Sequence, residues 1–569
     1  MMRVRRFVGC IAIAMLMMSA VSLLGAGADA VVPAIGGTQA LSPIATKGDA
    51  FSSVVTFRTP DGLLAAPIHG AVMPDGRVFL LGRVQADKPE MMHGAWTQAV
   101  DAPGAVLPKQ VTINPIMAPT DLHGTPSGDY TLDDSFVCGG NTFLSDGRLM
   151  IAGGPRTVTN TLTGELVLAV GVGYGSTYDG SAWKRVPGFM AGKGGYLATR
   201  WYPTLTRLAD GRILVTGGFD VLTPFLDPNV SEEIFNPVDN SWTEISSQQQ
   251  TPPQTHDADY TAVFQLPKAA AGSDVAMIGE DGVPIMLNTA TTPATWRVSP
   301  NLRPGATNGA TYSSGAGTAL LTIRLTDNEW GYHNGSFLTM GGALGTSAMT
   351  HADVYDPITD AWHATIDTGV ARHYPATVVL PDSRVLVING HDTTATPGVL
   401  SPQYIDPANG FAVSTSPAVA TEIRGYHNVA MLLPDGRVLV ASGRDVNRDT
   451  SLEKADYAYF SPSYMAKPRP VIVNAPLKLG YGQNVFLGTT NRKPTDAMLV
   501  ALPAMTHSFD QNQRSIQIKL RSIVADAANN QISVITGPSD ANVAPPGDYM
   551  LFALDANRVP SVARIVHIG

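Results

Sequence analysis

Between residues 74 and 443 the apolar positions gather in short runs rich in Val, Ile, Leu and Met, each entered through a polar turn and closed by glycine. "PDGRVFLLGR" (74–83), "SDGRLMIAGG" (145–154), "ADGRILVTGG" (209–218), "NGSFLTMGG" (334–342), "PDSRVLVING" (381–390) and "PDGRVLVASG" (434–443) are variants of one cassette. A turn dipeptide followed by a β-branched apolar run predicts a hairpin leading into a buried strand. After "FSPSYMAKPRPVI" (460–472) the cassette stops. The remaining segments, "SIQIKL", "QISVIT", "DYMLFAL" and "VARIVHI", alternate apolar and polar residues between Gly, Pro and Asn turns, the pattern of half-buried antiparallel strands.

Most cassettes are followed by an aromatic, a turn and a second aromatic: "YDGSAW" (178–183), "FNPVDNSW" (235–242), "YDPITDAW" (355–362) and "YIDPANGF" (404–411). The cassettes advance by about 50 to 70 residues, with room for four short strands in each unit. One interval is double that length, and a degenerate copy around "DVAMIGEDG" (274–282) fills it, making seven units. Units of this size with a Gly-Gly and spaced-aromatic signature resemble kelch repeats and predict an all-β chain: a seven-bladed kelch-type β-propeller over 31–468, then an immunoglobulin-like β-sandwich over 469–569.

Composition supports short strands and tight turns, with 56 glycines, 42 prolines and only 15% charged residues among 569. The net charge of -9, with no basic cluster, argues against nucleic acid as a partner. Residues 1–30 carry three arginines, an apolar stretch from Phe7 to Leu24, and small residues at Ala28 and Ala30. This is the layout of a secretory signal cut after Ala30, with an uncleaved anchor as the alternative. The expected location is secreted, periplasmic or at the cell surface, with no membrane span after cleavage. Of the two cysteines, Cys10 falls in the signal. Cys138 is then alone, either an inert buried thiol or one with a specific use.

The cassette also serves as a ruler. Eight residues before turn residue Asp146 stands Cys138, eight before Asp210 stands Tyr202, and eight before Asp435 stands His427, preceded by Tyr426. Equivalent offsets occupy equivalent places around a propeller axis, so all four converge on one channel mouth. Tyr374 has the same offset from Asp382, so an aromatic here can equally be packing. Two phenols and an imidazole are hard-to-borderline donors that, with one more imidazole, suit tetragonal Cu(II) better than zinc or magnesium. A thiol beside a phenol near a redox metal can couple to the ring carbon as a thioether.

With "FVCGG" (136–140), "RWYPT" (200–204), "GYHNVAMLLPDGRVLV" (425–440), "MTHSFDQNQR" (505–514) and "PPGDYMLFALDANRVPSVARIV" (545–566) in this order, the sequence resembles the copper radical oxidases. Within that galactose oxidase and glyoxal oxidase group its wording is closer to glyoxal oxidase. The resemblance implies one copper ion held by Tyr202, Tyr426, His427 and His507, and a Cys138–Tyr202 thioether that carries a tyrosyl radical. It also implies Tyr426 as axial ligand and proton acceptor, and His507 on a loop that reaches from the sandwich into the channel. The implied activity is two-electron oxidation of an aldehyde or alcohol, small or glycan, coupled to reduction of O2 to hydrogen peroxide; a monomer is expected.

One departure stands out. Where galactose oxidase places a tryptophan over the modified tyrosine, this chain has Phe219 and Asp220 in "GGFDVL". The stacking residue must come from elsewhere or be absent, which weakens a galactose assignment. Trp201, next to Tyr202, is expected to point the other way and pack between blades. His69, six residues before Asp75, fits either a supporting role behind the ligands or core packing; His373 fits rim packing or a substrate contact. The competing function is a non-catalytic kelch propeller that binds a glycan or protein through its loops.

Overall fold

The computed structural model describes residues 46–569 except 59–63, 86–91, 99–112, 115–129, 135, 161–165, 190–198, 222–226, 230, 247–259, 280–281, 305–314, 345–346, 392–397 and 445–452. The signal read at 1–30 lies outside the described residues. Among the described residues no helix is long and apolar enough to cross a membrane.

Seven antiparallel blades surround a channel. Their inner strands are Leu64–Val72 (blade 1), Gly140–Phe143 (blade 2), Thr204–Arg207 (blade 3), Ala262–Ala270 (blade 4), Gly317–Leu320 (blade 5), Ala376–Val379 (blade 6) and Asn428–Leu432 (blade 7). The degenerate copy is blade 4. The N-terminal strand Ala50–Phe51 closes the ring by pairing with Asp456–Ser461, the third strand of blade 7. Three of the four aromatic pairs of the sequence face each other across strands, Tyr178 opposite Trp183, Phe235 opposite Trp242 and Tyr355 opposite Trp362, with ring centroids 5.0, 4.9 and 5.2 Å apart; in the fourth, Tyr404 stands opposite Ser414 and not Phe411. Such pairs contribute about 0.5–1.5 kcal/mol beyond the area they bury. A further five-stranded sheet, built from Tyr130–Asp134, Pro155–Asn160, Leu166–Gly171, Phe219–Val221 and Asp227–Pro228, belongs to no blade and was not foreseen from the cassette spacing.

The cassette turns act as the sequence reading expected. Asp75, Asp146, Asp210, Asp382 and Asp435 each accept the backbone amide of the arginine two residues on, at 2.9–3.2 Å. The residue between has a positive φ, which glycine supplies in four of the turns and Ser383 (φ +68°) in the fifth.

A second repeated device was not read from the sequence. Arg200, Arg372 and Arg424 precede the inner strands of blades 3, 6 and 7, and each donates to a carbonyl at the end of its blade's second strand: Gly217 (2.8 Å), Asn389 (2.7 Å) and Ser442 (2.7 Å). Each also reaches the third strand, at Glu233 (2.8 Å), Gln403 (3.3 Å) and Asp456 (2.5 Å). In blade 5 Arg303 does the same with Gly341 (3.0 Å) and Asp353 (2.7 Å). All four guanidinium groups are buried. An arginine fork there satisfies carbonyls that water cannot reach and fixes where the chain enters the channel.

The last hundred residues form a sandwich whose strands run in the order 471–474, 484–490, 531–536, 515–525, 494–501, 547–555, 564–568, 478–479, antiparallel except for the final pair. From it a hairpin, Ala504–Thr506 and Phe509–Asp510, extends the inner edge of blade 1, with Thr506 opposite His69 and Ala504 opposite Ala71. The residues after it pin it in place. Gln511 accepts the amides of Asn141 in blade 2 and Leu205 in blade 3, at 2.9 and 3.0 Å. Gln513 accepts the amide of Leu320 in blade 5 at 2.7 Å and Arg514 donates to Gln265 O in blade 4 at 2.7 Å, while at the hairpin's own tip Ser508 N donates to Asn428 O in blade 7 at 2.9 Å. The "DQNQR" stretch is thus a hub that bonds to most of the blades.

Candidate metal centre

Tyr202, Tyr260 and Tyr374 stand just before the inner strands of blades 3, 4 and 6, and Tyr426 and His427 just before that of blade 7. Tyr202 (φ +68°), Tyr260 (+45°), Tyr374 (+56°) and His427 (+68°) all occupy the left-handed region, as do His507 (+50°) and Ser508 (+66°) at the hairpin tip. Such a conformation costs a non-glycine residue about 1–2 kcal/mol. It persists only where surrounding structure imposes it, and such positions cluster at functional sites. At the tip, positive φ at two successive residues is the backbone of a tight two-residue turn, commonly filled by Asn-Gly.

The side chains meet. The Tyr202 and Tyr426 hydroxyls share a 2.9 Å hydrogen bond. The His507 ring lies 5.5 Å from that of Tyr202, 5.4 Å from Tyr426 and 4.4 Å from His427, to which it is perpendicular. Tyr426 and His427 stack at 3.9 Å. Cys138, buried, accepts the Tyr202 amide on its carbonyl at 3.0 Å. Its Sγ and one nitrogen from each of His427 and His507 all lie within 4.8 Å of one another. All five residues singled out on the sequence are therefore in one place, drawn from blades 2, 3 and 7 and the sandwich.

Each imidazole is oriented through Nδ1. His427 Nδ1–H donates to Glu453 Oε1 at 2.8 Å, and Glu453 is held by Arg444 Nε at 3.1 Å. His507 Nδ1 bonds Thr506 Oγ1 at 2.6 Å. Nε2 is thereby the nitrogen that each ring offers to a metal, and a carboxylate behind a histidine is the usual outer partner of a metal ligand. Thr506 Oγ1 also lies 3.3 Å from His69 Nε2. Complete burial pushes His69 down to about 4, so it is neutral and supports the hairpin from behind. Two imidazole nitrogens and two phenol oxygens, with these backing groups, fit copper by donor type.

Glu453, Thr506 and Tyr260 were missed on the sequence. Glu453 has no counterpart in the cassette. Blade 4 turns at Ala271-Gly272 without the Asp that anchors the ruler, so Tyr260 could not be measured from it. The Tyr260 ring lies 5.2 Å from Tyr202 at 62° and 4.6 Å from His507, and its hydroxyl donates to Gly139 O at 3.1 Å. Trp201 departs from expectation: its ring packs against Tyr202 at 5.7 Å and 39°. Simple strand alternation fails because the left-handed residue interrupts it. Phe219 serves as backbone partner to Trp201, exchanging bonds of 2.7 and 2.9 Å. Beside the cluster lies a cavity that opens to solvent, about 600 Å³ with the space at its mouth included, lined by Tyr260, Thr318, Thr339, Tyr374, Tyr426 and His507 among others; no Asp, Glu, Lys or Arg is among its described lining residues.

Residues 469–568 match the family model described as galactose oxidase-like, early set domain. Over 470 residues the chain is 27% identical to a protein named aldehyde oxidase GLOX1 from Arabidopsis thaliana, covering 76% of this chain and 71% of that one. It is 25% identical over 554 residues to aldehyde oxidase GLOX from Vitis pseudoreticulata (88% and 95% covered). Against galactose oxidase from Gibberella zeae it is 23% identical over 539 residues (86% and 72% covered). A solved structure described as a novel fungal alcohol oxidase in complex with copper shares the fold, with a TM-score of 0.65 at 18% identity over 92% of this chain and 100% of that one.

Proposed function

We propose a function from the premise that this chain belongs to the copper radical oxidase family: it oxidises a small uncharged aldehyde or alcohol and passes two electrons to O2, forming hydrogen peroxide outside the cytoplasm. The observation that carries this reading is the convergence of two phenols, two imidazoles and a thiol at strained rim positions. A glycan-binding propeller has no use for that constellation.

In this reading Tyr202, Tyr426, His427 and His507 hold the copper. When bound, copper supplies a Lewis acid and one of the two oxidising equivalents. The chain's own residues supply the rest. Cys138 Sγ joins a ring carbon of Tyr202, the thiol and ring hydrogens leaving as two protons and two electrons that O2 takes up, and the thioether lowers the potential at which the ring gives up an electron. Tyr426, at 2.9 Å from the Tyr202 hydroxyl, takes the proton of the substrate hydroxyl as general base. The oxidised Tyr202 ring takes a hydrogen atom from the substrate carbon. An alcohol then becomes an aldehyde, or a hydrated aldehyde an acid; the two protons and two electrons released match those that O2 needs to become peroxide. Tyr260 covers the Tyr202 ring edge-on, in the role that Phe219 does not fill. The absence of charge among the described lining residues favours a neutral substrate.

Copper-loaded, oxygen-exposed protein tests this directly. Peptide mapping is expected to show the Cys138 and Tyr202 peptides joined, two hydrogens lighter than their sum. A free thiol at Cys138 in protein that turns over would refute the cofactor. A panel of neutral alcohols and aldehydes, read by peroxide release, assigns the substrate class; copper-loaded, cross-linked protein that releases no peroxide with any of them would count against the oxidase reading.

A further inference from the structure

Away from the copper cluster, at the junction of blades 3 and 4 with the sandwich, a cavity that opens to solvent, about 340 Å³ with the space at its mouth included, is lined by Thr206, Arg207, Gln511, Asn512, Arg514 and Tyr549 among others. Arg207 and Arg514 are only 5% and 6% exposed. Arg514 Nη2 donates to Gln265 O at 2.7 Å and the Arg207 guanidinium lies 5.7 Å from the centre of the Tyr549 ring, with which it interacts, but neither guanidinium has its full set of acceptors. Neither guanidinium has a carboxylate partner among the described residues. Asp510, on the same segment, accepts the amides of Ala504 and Asn512 instead, and Asp548 pairs with His567 at 3.0 Å. Tyr549 stays neutral because burial raises its phenol, and its hydroxyl donates to Pro545 O at 2.7 Å.

Two largely buried positive charges that border one cavity, with no carboxylate among its described lining residues, are costly unless something negative joins them. Gly547 leaves the room that Arg207 occupies: a Cβ there would fall 2.1 Å from Arg207 Nη1. Burial, helped by the like charge of Arg207, pulls Arg514 down to about 10, still charged at neutral pH. We infer that this cavity is a binding site for a small inorganic anion, a halide or a tetrahedral oxyanion, held between the Arg207 and Arg514 guanidinium groups. Arginine's planar fork suits either guest. Because Arg514 directly follows the glutamines that pin the His507 hairpin, the anion ties the sandwich to the propeller at the hairpin's base.

The test is thermal unfolding of the full chain at constant ionic strength, titrating sodium chloride or sodium phosphate against sodium gluconate. The expected result is a saturable rise in Tm of about 2 °C or more with chloride, phosphate or both, absent in the Arg207→Gln/Arg514→Gln double variant. The anion with the lower half-saturation identifies the ligand. A parallel rise in both proteins, or no rise in the wild type, overturns the proposal. Should the double variant not fold, crystals of the wild type soaked in bromide and in phosphate decide: an anomalous peak or tetrahedral density between the two guanidinium groups supports the site, and water alone in both soaks refutes it.

Discussion

Blades 3 and 6 make the most instructive comparison in this molecule. Both enter the channel as arginine, aromatic, tyrosine: Arg200-Trp201-Tyr202 and Arg372-His373-Tyr374. Both arginines clamp the end of their blade's second strand, and both tyrosines sit in left-handed backbone at nearly the same φ. Yet the Tyr202 hydroxyl bonds that of Tyr426, while Tyr374 meets the Tyr426 ring edge at 5.1 Å and lines the cavity beside it. Blade 2 places Cys138 next to Tyr202, its backbone bonded to it. Strain and position are properties of the rim; the chemistry belongs to what neighbouring blades and the hairpin bring to it.

The sharpest way to break this comparison is to remove one hydroxyl from each blade. Tyr202→Phe is expected to lower peroxide production by at least ~10⁴-fold, the scale on which loss of a reacting group is felt, while Tyr374→Phe stays within about tenfold. Equal losses would show that the two tyrosines share a structural role.

The clamps differ in stability terms. Arg200 pairs with the fully buried Glu233, whereas the Arg372 acceptors are carbonyls and the amide of Gln403. Arg200→Met should therefore cost about 3–5 kcal/mol, since it breaks the ion pair of a buried carboxylate. Arg372→Met strands only neutral acceptors and should cost about 1–3 kcal/mol. Urea unfolding of the two variants checks the order, and a reversed order would contradict the account of the clamp.

Behind the metal cluster, Glu453→Gln should keep the fold but weaken copper binding about 10–100-fold, the usual loss when an outer partner of a ligating histidine is changed. His373→Gln in blade 6, outside the ligand set, should leave copper affinity unchanged; competition titration reads both. The smallest expected effect lies in the turns. Blade 6 has Ser383 at φ +68° where blade 3 has Gly211 at +84°. Ser383→Gly should raise stability by about 0.5–1 kcal/mol, the relief of left-handed strain less the extra flexibility of glycine in the unfolded chain. Chemical denaturation would show it, and a loss of stability would mean the serine side chain contributes packing that outweighs the strain.

The repeat was legible because the blades reuse local chemistry: an apolar strand in each, an Asp-capped turn in five and a facing aromatic pair in three, all within short sequence spans. Cys138, Tyr202, Tyr426 and His427 were measurable from it because a closed ring converts equal offsets into equal places around an axis. His507 has no such ruler and was reached through the wording of "MTHSFDQNQR". Tyr260 was hidden by a turn that lost its Asp, and Glu453 by lying in a stretch with no repeat at all.

By itself, then, the sequence determined the blades, their number and the rim positions, since these follow from local periodicity. Only the tertiary structure decided which rim residues touch. It set Tyr202 rather than Tyr374 against the Tyr426 hydroxyl, carried His507 to them on a hairpin paired to blade 1, and brought Arg207 and Arg514 to one cavity with no carboxylate among its described lining residues. Those contacts join residues far apart in the chain, and they form only when ring closure and the docked sandwich bring the segments together.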